Sequence, residues 1–103
     1  MIAVVVDFLI KTEHAQDFHQ AVLRHSHNSL TNEPECKQFD VMLDPENAAH
    51  FLLCELYTSQ EAFEFHRQQP YMQQFVATIG PWIENKMLKV WEMKTELSSA
   101  KRN

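Results

Sequence analysis

Residues 2–10, IAVVVDFLI, constrain the fold more than any other stretch, because large apolar side chains occupy both alternating faces of the run. Only Asp7 interrupts this pattern, which is typical of a β-strand covered on both sides. Residues 51–57 and 87–93 share the same two-faced apolar character. Helices cover only one face of such a sheet, so we expect a second copy of the chain to cover the other face.

A long helix and a second strand are predicted between the first two of these runs. Thr12 is suited to cap the helix, and Glu33-Pro34 ends it. Residues 36–43 alternate cleanly, and the turn-forming residues 44–47 join them to 51–57 as a hairpin. The predicted inward stripe of the helix is Ala15, Phe18, Val22 and Ser29, with His25 and Ser26 at its borders.

The later half of this helical stripe is small and polar, so it either lines a cavity or extends into solvent.

Two more helices are predicted after residue 57. Thr58 precedes Glu61 by three residues, which is the signature of a capping box. Pro70 ends the first of these helices and opens the second, which Gly80-Pro81 stops. The inward positions of the pair are Ala62, Phe65, His66 and Gln69, then Met72, Phe75, Val76 and Ile79.

This order of elements, βαββαβ, predicts an α+β ferredoxin-like fold with one antiparallel sheet and helices on one face. A chain of 103 residues is long enough for one core only. We therefore expect residues 1–95 to form a single domain and residues 96–103 to be a polar C-terminal tail.

Composition narrows the function classes. The net charge of −5 lacks the electrostatic footprint of a nucleic-acid binder, and no apolar run approaches the roughly 20 residues of a membrane span. Cys36 and Cys54 lack a CxxC spacing, so we expect two reduced thiols in a cytoplasmic protein. The six histidines form no HxxxH pair, and a single glycine, Gly80, rules out a glycine-rich phosphate loop. We therefore expect no metal and no cofactor.

Glu55 and His66 are the residues most suited to chemistry. Glu55 lies inside an apolar strand, where a carboxylate costs several kcal/mol unless it is paired or protonated. His66 lies on an inward helical stripe, and histidine is the side chain type most easily titrated near neutral pH. A solvated edge-strand acid and a packed histidine are the structural alternatives. If the helix returns over the strand, we expect the two residues to form a coupled pair.

Several motifs occur here in a familiar order and spacing: Phe18, Ser29, Glu33-Pro34 with Cys36, the run 39–41, Asp44-Pro45, Glu55-x-Tyr57, Ala62, His66 and Pro70. Together they resemble the antibiotic biosynthesis monooxygenase family over nearly the whole chain. The resemblance implies a dimeric α+β barrel, in which two sheets pack face to face. Glu35 departs from the glycine that usually follows Glu-Pro, and Tyr71 replaces a frequent histidine. Tyr57 replaces the tryptophan of haem-degrading members, so haem is not implied.

The family includes monooxygenases that oxidise quinols and polyketide phenols without metal or flavin. It also includes an isomerase of the phosphorylated autoinducer-2 signal, whose close relatives the spacing of His27, Asp40, Glu55 and His66 resembles. Our first hypothesis is a cofactor-independent monooxygenase of a small quinol- or polyketide-like aromatic, with catalytic residues His66, Glu55 and Asp40. The expected substrate-binding residues are Tyr57, Tyr71, His27, Phe39 and Phe65.

Two alternatives remain open. An isomerase of a small, phosphorylated dicarbonyl would use the same acid and base without consuming oxygen. It would also need a cation near the phosphate, for which the sequence offers Arg24, Lys37, Arg67 and Lys86. A small-molecule-binding dimer without catalysis is the second alternative, because a fold does not fix a function.

Overall fold

The computed structural model describes residues 1–95, so the predicted tail at 96–103 lies outside the described residues. The strands are β1 (Ile2–Ile10), β2 (Cys36–Leu43), β3 (His50–Tyr57) and β4 (Ile83–Glu92). The α-helices are α1 (Ala15–Asn32), α2 (Gln60–Arg67) and α3 (Pro70–Ile79), with single 3₁₀ turns at Thr12–His14 and Gly80–Trp82. Within residues 1–95, no helix is both long and apolar enough to span a bilayer.

The four strands form one antiparallel sheet in the order β2-β3-β1-β4. This order confirms the predicted ferredoxin-like α+β fold. Val4 of β1 is paired with Glu55 on β3 and with Val90 on β4, so these three side chains share one face of the sheet. Phe39 of β2 is paired with Glu55, which extends the same face to the far edge. We call this the helix face, because the helices pack against it.

The core lies between the helix face and α1. Phe18 of α1 is fully buried, with its ring centroid 5.0 Å from that of Phe8 and 4.8 Å from that of Phe51. Each fully buried side chain of this size stabilises the fold by about 1.5–3 kcal/mol. The buried residues of α1 are Phe18, Val22, His25, Ser26 and Ser29, which lie on or beside the predicted stripe, whereas Ala15 of that stripe is only half-buried.

The opposite side of the sheet, which we call the outer face, is not covered by any described element. Strand register places Val5, Leu52 and Met87 on it. Met87 is 68% exposed and Trp91, which is paired with Ala3 on the same face, is 50% exposed. These exposed apolar side chains favour the predicted packing of a second copy on this face, which stays a prediction.

Three local predictions were wrong. A 3₁₀ turn at Thr12–His14 precedes α1, so Thr12 does not cap the α-helix. Ser59, and not Thr58, caps α2 by accepting a hydrogen bond from the Ala62 backbone N–H. The hydroxyl of Thr58 instead donates to a carboxylate oxygen of Glu35 at 2.5 Å. β4 begins at Ile83, four residues before the predicted start at 87.

Candidate active site

A pocket of about 530 Å³ opens between the helix face of the sheet and α3. Val4, Val6 and Phe8 of β1 line the sheet side of the pocket, and Met72 and Val76 lie on the α3 side. Most of the remaining lining is also apolar. The polar and charged side chains that reach the pocket are His25, Glu55, His66, Arg67, Gln73 and Lys86. A mainly apolar pocket with a few convergent polar groups is the usual form of a small-molecule site.

His66 of α2 is held by Glu33, the residue that follows α1. Both Glu33 carboxylate oxygens lie 3.0 Å from Nδ1 of His66. The hydroxyl of Tyr71 donates a second hydrogen bond to Glu33. Because the carboxylate accepts, Nδ1 carries the hydrogen, and the neutral form of the ring then has its lone pair on Nε2. This is the arrangement that prepares a histidine to act as a general base.

Glu55 of β3 lies on the helix face beside this pair. Its Oε1 accepts a hydrogen bond of 2.6 Å from the hydroxyl of Tyr57. Burial raises the pKa of the Glu55 carboxyl, and the Tyr57 hydrogen bond only partly opposes that effect. Burial also raises the pKa of Tyr57, followed in size by the charge of Glu55, so the phenol remains protonated. Glu55 is therefore a carboxyl group that favours its neutral, proton-donating form.

His66 and Glu55 face each other without a direct hydrogen bond. Nε2 of His66 lies 3.9 Å from Oε1 of Glu55, and both side chains are buried. That separation is too long for a hydrogen bond but short enough for both groups to reach neighbouring atoms of one small ligand. The sequence predicted a coupled pair of Glu55 and His66; the hydrogen-bond partner of His66 in the structure is Glu33.

Two of the four predicted phosphate-binding cations line the pocket. Arg67 lies at the end of α2 and Lys86 on β4. The Lys86 ammonium lies 5.7 Å above the ring of Phe8, so its charge faces the pocket. Arg24 lines a smaller cavity between α1 and α3, and Lys37 donates to the backbone oxygen of Pro34.

His25 of α1 also lines the pocket and was not among the predicted site residues. Its ring is 5.1 Å from the ring of His66 and stacks on Phe75 with parallel planes 4.2 Å apart between centroids. Burial, and then the neighbouring His66, lowers the pKa of His25 to about 3. His25 is therefore a neutral imidazole at any ordinary pH.

Three predicted site residues lie elsewhere. Asp40 is paired with Cys54 on the outer face. Neighbouring strand residues point to opposite faces, so Asp40 lies on the side of the sheet away from Phe39 and Glu55. His27 is exposed on α1, as its helical angle indicates, and does not line any of the described pockets. Phe65 is 51% exposed, and Phe63 takes the inward position, with its ring 5.5 Å from that of Tyr57.

The aromatic residues predicted to bind substrate lie behind the pocket lining. Phe39 is buried with its ring edge-on to His25 at 5.5 Å. Tyr57 is fully buried and reaches Glu55, and Tyr71 reaches Glu33. In this structure these three side chains hold the catalytic candidates in place.

Sequence reasoning missed Glu33 as a site residue. It was interpreted as part of the turn that ends α1, although the side chain is only 2% exposed. The available signal was its place in the Glu-Pro motif that carries the family resemblance. Among residues 1–95, no group of three or more histidine, cysteine, aspartate or glutamate side chains is arranged to hold a metal ion.

Residues 1–78 match the family model described as antibiotic biosynthesis monooxygenase. The chain belongs to this family. Two solved structures described as candidate antibiotic biosynthesis monooxygenases share its fold. The structure from Nitrosomonas europaea has a TM-score of 0.87 at 20% identity and covers 92% of this chain and 100% of its own. The structure from Caulobacter crescentus CB15 has a TM-score of 0.86 at 21% identity, covering 91% and 90%.

Curated family members with related sequences are named as isomerases of (4S)-4-hydroxy-5-phosphonooxypentane-2,3-dione. The protein of Klebsiella pneumoniae is 34% identical over 67 residues, which are 65% of this chain and 67% of the relative. The protein of Salmonella typhimurium is 32% identical over 60 residues, which are 58% and 62% of the two chains. The chain thus spans about two thirds of the length of these curated relatives.

Proposed function

We propose that this protein is an isomerase that exchanges a carbonyl and a neighbouring hydroxyl group on a small phosphorylated dicarbonyl compound. The observation that carries the proposal is the buried pair of His66 and Glu55, 3.9 Å apart. The Glu33 contact at Nδ1 leaves Nε2 of His66 facing Glu55, and burial raises the pKa of Glu55, which favours its protonated form. A base and an acid poised side by side are the groups that enolisation requires.

The reaction can be written with these two groups alone. Nε2 of His66 removes the proton from the carbon that bears the hydroxyl, while Glu55 gives its proton to the adjacent carbonyl oxygen. This step forms an enediol. The Glu55 carboxylate then takes the proton of the original hydroxyl, and His66 returns its proton to the former carbonyl carbon. The carbonyl and hydroxyl have exchanged places, both residues are restored, and no oxidant is needed.

The compound in the relatives' names, (4S)-4-hydroxy-5-phosphonooxypentane-2,3-dione, has the required functional groups. A hydroxyl-bearing carbon stands beside a ketone, and the phosphate lies on the following carbon. In the pocket, the phosphate would bind towards Arg67 and Lys86, while the reacting carbons lie between His66 and Glu55. The pocket volume of about 530 Å³ suits a ligand of this size.

A cofactor-independent monooxygenase is the second candidate function. The apolar lining from β1 and α3 favours it, because a flat aromatic ligand needs such surroundings. His66 would then deprotonate a phenol, and the resulting anion would react with oxygen in a dry pocket. The two cations and the isomerase names of the sequence relatives favour the first proposal over this one.

One experiment separates the two functions. The purified chain is incubated with the phosphorylated hydroxydione while NMR follows the carbon framework and an electrode follows dissolved oxygen. We expect isomerisation without oxygen uptake, and a loss of about 10²–10⁴ in kcat for His66→Ala. His27→Ala is the matched control, because His27 is exposed on α1. Oxygen uptake with a hydroquinone, and no isomerisation, would establish the monooxygenase instead.

A further inference from the structure

His25 is the buried polar residue that the proposed mechanism does not use. The side chain is only 3% exposed. Its Nδ1 is sealed from solvent and has no hydrogen-bond partner among the described residues. The ring nevertheless lines both the main pocket and the smaller cavity of about 200 Å³ between α1 and α3. A buried polar ring that lines a cavity and has no hydrogen-bond partner among the described residues calls for an explanation.

The surroundings of the ring fix its orientation. Phe75 stacks on one side at 4.2 Å, and Phe39 meets it edge-on at 5.5 Å. His66 lies 5.1 Å away between ring centroids, at the same end of the pocket. This packing fixes the rotamer of His25 before a ligand binds, so the ring is preorganised for a ligand contact.

The hydrogen of the neutral ring belongs on Nε2. A sealed Nδ1–H without an acceptor would lose a hydrogen bond outright, which costs about 1–3 kcal/mol. A sealed Nδ1 lone pair costs less, since orphaned donors are the rarer and less tolerated case. Nε2 is not among the sealed nitrogens. His25 therefore offers an Nε2–H donor that carries no net charge.

We propose that His25 is a substrate-binding residue whose Nε2–H donates a hydrogen bond to the oxygen on which negative charge develops during enolisation. This inference rests on the proposed isomerase function. It divides the work among three side chains: His66 moves the carbon-bound proton, Glu55 exchanges protons with the oxygens, and His25 stabilises the developing charge. A neutral donor suits this task, because it stabilises the anion without giving up its own proton.

Three variants test the role of His25. His25→Phe keeps a flat ring against Phe75 but removes both nitrogens. In His25→Gln the amide nitrogen reaches approximately the position of Nε2, whereas in His25→Asn it reaches that of Nδ1. Loss of one such donor typically lowers kcat by about 10²–10³. We expect losses of this size for the Phe and Asn variants, a clearly smaller loss for Gln, and little change in KM for any of them.

Thermal unfolding provides the structural control, because a merely packing role for His25 predicts that the Phe variant is as active as the wild type. As a second readout, ¹⁵N NMR of the wild type should show a protonated Nε2 on His25. Its resonance should shift when phosphoglycolohydroxamate, a phosphorylated enediolate mimic, is added. Wild-type kcat in His25→Phe, or equal losses in the Asn and Gln variants, would overturn the inference while leaving the isomerase intact. A wild-type chain that does not isomerise the hydroxydione would overturn the proposed function first.

Discussion

Glu33 and His66, 33 positions apart in the sequence, form a buried carboxylate–imidazole pair in which both Glu33 oxygens lie 3.0 Å from Nδ1. Both side chains are at most 2% exposed. The pair joins the residue after α1 to the last turn of α2, so one contact both orients the base and connects two helices. Tyr71 of α3 completes the contact by donating to the same carboxylate.

The first prediction concerns Glu33→Gln. The amide cannot accept from Nδ1 as strongly as the carboxylate does, and its NH₂ group favours the tautomer with hydrogen on Nε2. Removal of a general base lowers kcat by about 10²–10⁴-fold, and we expect the loss in Glu33→Gln to approach that size. The double variant Glu33→Gln/His66→Ala should be no slower than His66→Ala alone, because the two residues act as a unit. Additive losses would contradict this, and circular dichroism checks that the fold is kept.

The second prediction concerns Glu55 and pH. Burial raises the folded-state pKa of Glu55, so the folded protein holds this proton more tightly than the unfolded chain does. Stability from this group is therefore fully present below about pH 4.5 and declines as pH rises through the raised pKa. Glu55→Gln cannot ionise, so its Tm relative to wild type should increase across that range. Scanning calorimetry between pH 4 and 8 measures this, and a pH-independent difference would contradict a neutral Glu55.

For Glu55→Gln we expect activity to be lower than in the wild type, even where its Tm is higher. Wild-type kcat/KM should fall at the pH where Glu55 ionises, because the acid is then lost. Glu55→Gln should be slow at every pH and should lack this decline.

The third prediction concerns His50 on the outer face. Its Nδ1 lies 2.9 Å from Asp44 and its Nε2 lies 3.0 Å from Asp7, so both nitrogens can donate only in the charged form. These hydrogen bonds, from Asp44 first and then Asp7, raise the pKa of His50. The charged His50 therefore stabilises the folded state fully below about pH 6.5, and this contribution is lost as the pH rises through the raised pKa of His50. His50→Gln should lower Tm more at pH 6 than at pH 9.

His27→Gln is the matched control for this measurement, because His27 is an exposed histidine on α1. Its effect on Tm should not vary over the same range. An equal effect of His50→Gln at both pH values would show that the Asp7 and Asp44 contacts do not hold a charged imidazole.

The fourth prediction concerns the oligomeric state. Sedimentation equilibrium at micromolar concentration should give twice the chain mass of 12.1 kDa, because the outer face exposes Met87 and Trp91. Trp91→Glu should shift the protein towards the monomer. Leu23→Glu, at an equally exposed apolar position on α1, should not. A wild-type chain that stays monomeric and folded would exclude the barrel in which two sheets pack face to face.

The strand pattern was predictable because it depends on neighbours in the sequence. β1 and β2 have the predicted bounds, since their alternation reports directly which residues are covered. The start of β4 was not predictable, because residues 84–86 are polar and exposed, so nothing in them records the pairing with β1. Residues 84–86 belong to the strand through their backbone hydrogen bonds to β1 and not through burial of their side chains.

The catalytic pair was only half predictable. The apolar run around Glu55 and the helical stripe of His66 each indicated a buried ionisable group. The position of Glu33 beside His66 depends on how α1 and α2 pack, and local pattern carries no information about that contact. Phe63 and Phe65 show the same limit: the periodicity put Phe65 on the inward stripe, whereas Phe63 is the buried residue and packs on Tyr57.

β4 is both exposed and part of the pocket lining. It supplies Lys86 and Leu88 to the pocket lining, yet every residue from Glu84 to Glu92 is exposed. Substitutions at exposed positions usually change stability by less than about 0.5 kcal/mol. Positions 86 and 88 can therefore vary at small cost to the fold, although the charge of Lys86 also acts to lower the pKa of Glu55. A library that aims to change the accepted substrate should therefore concentrate on this strand.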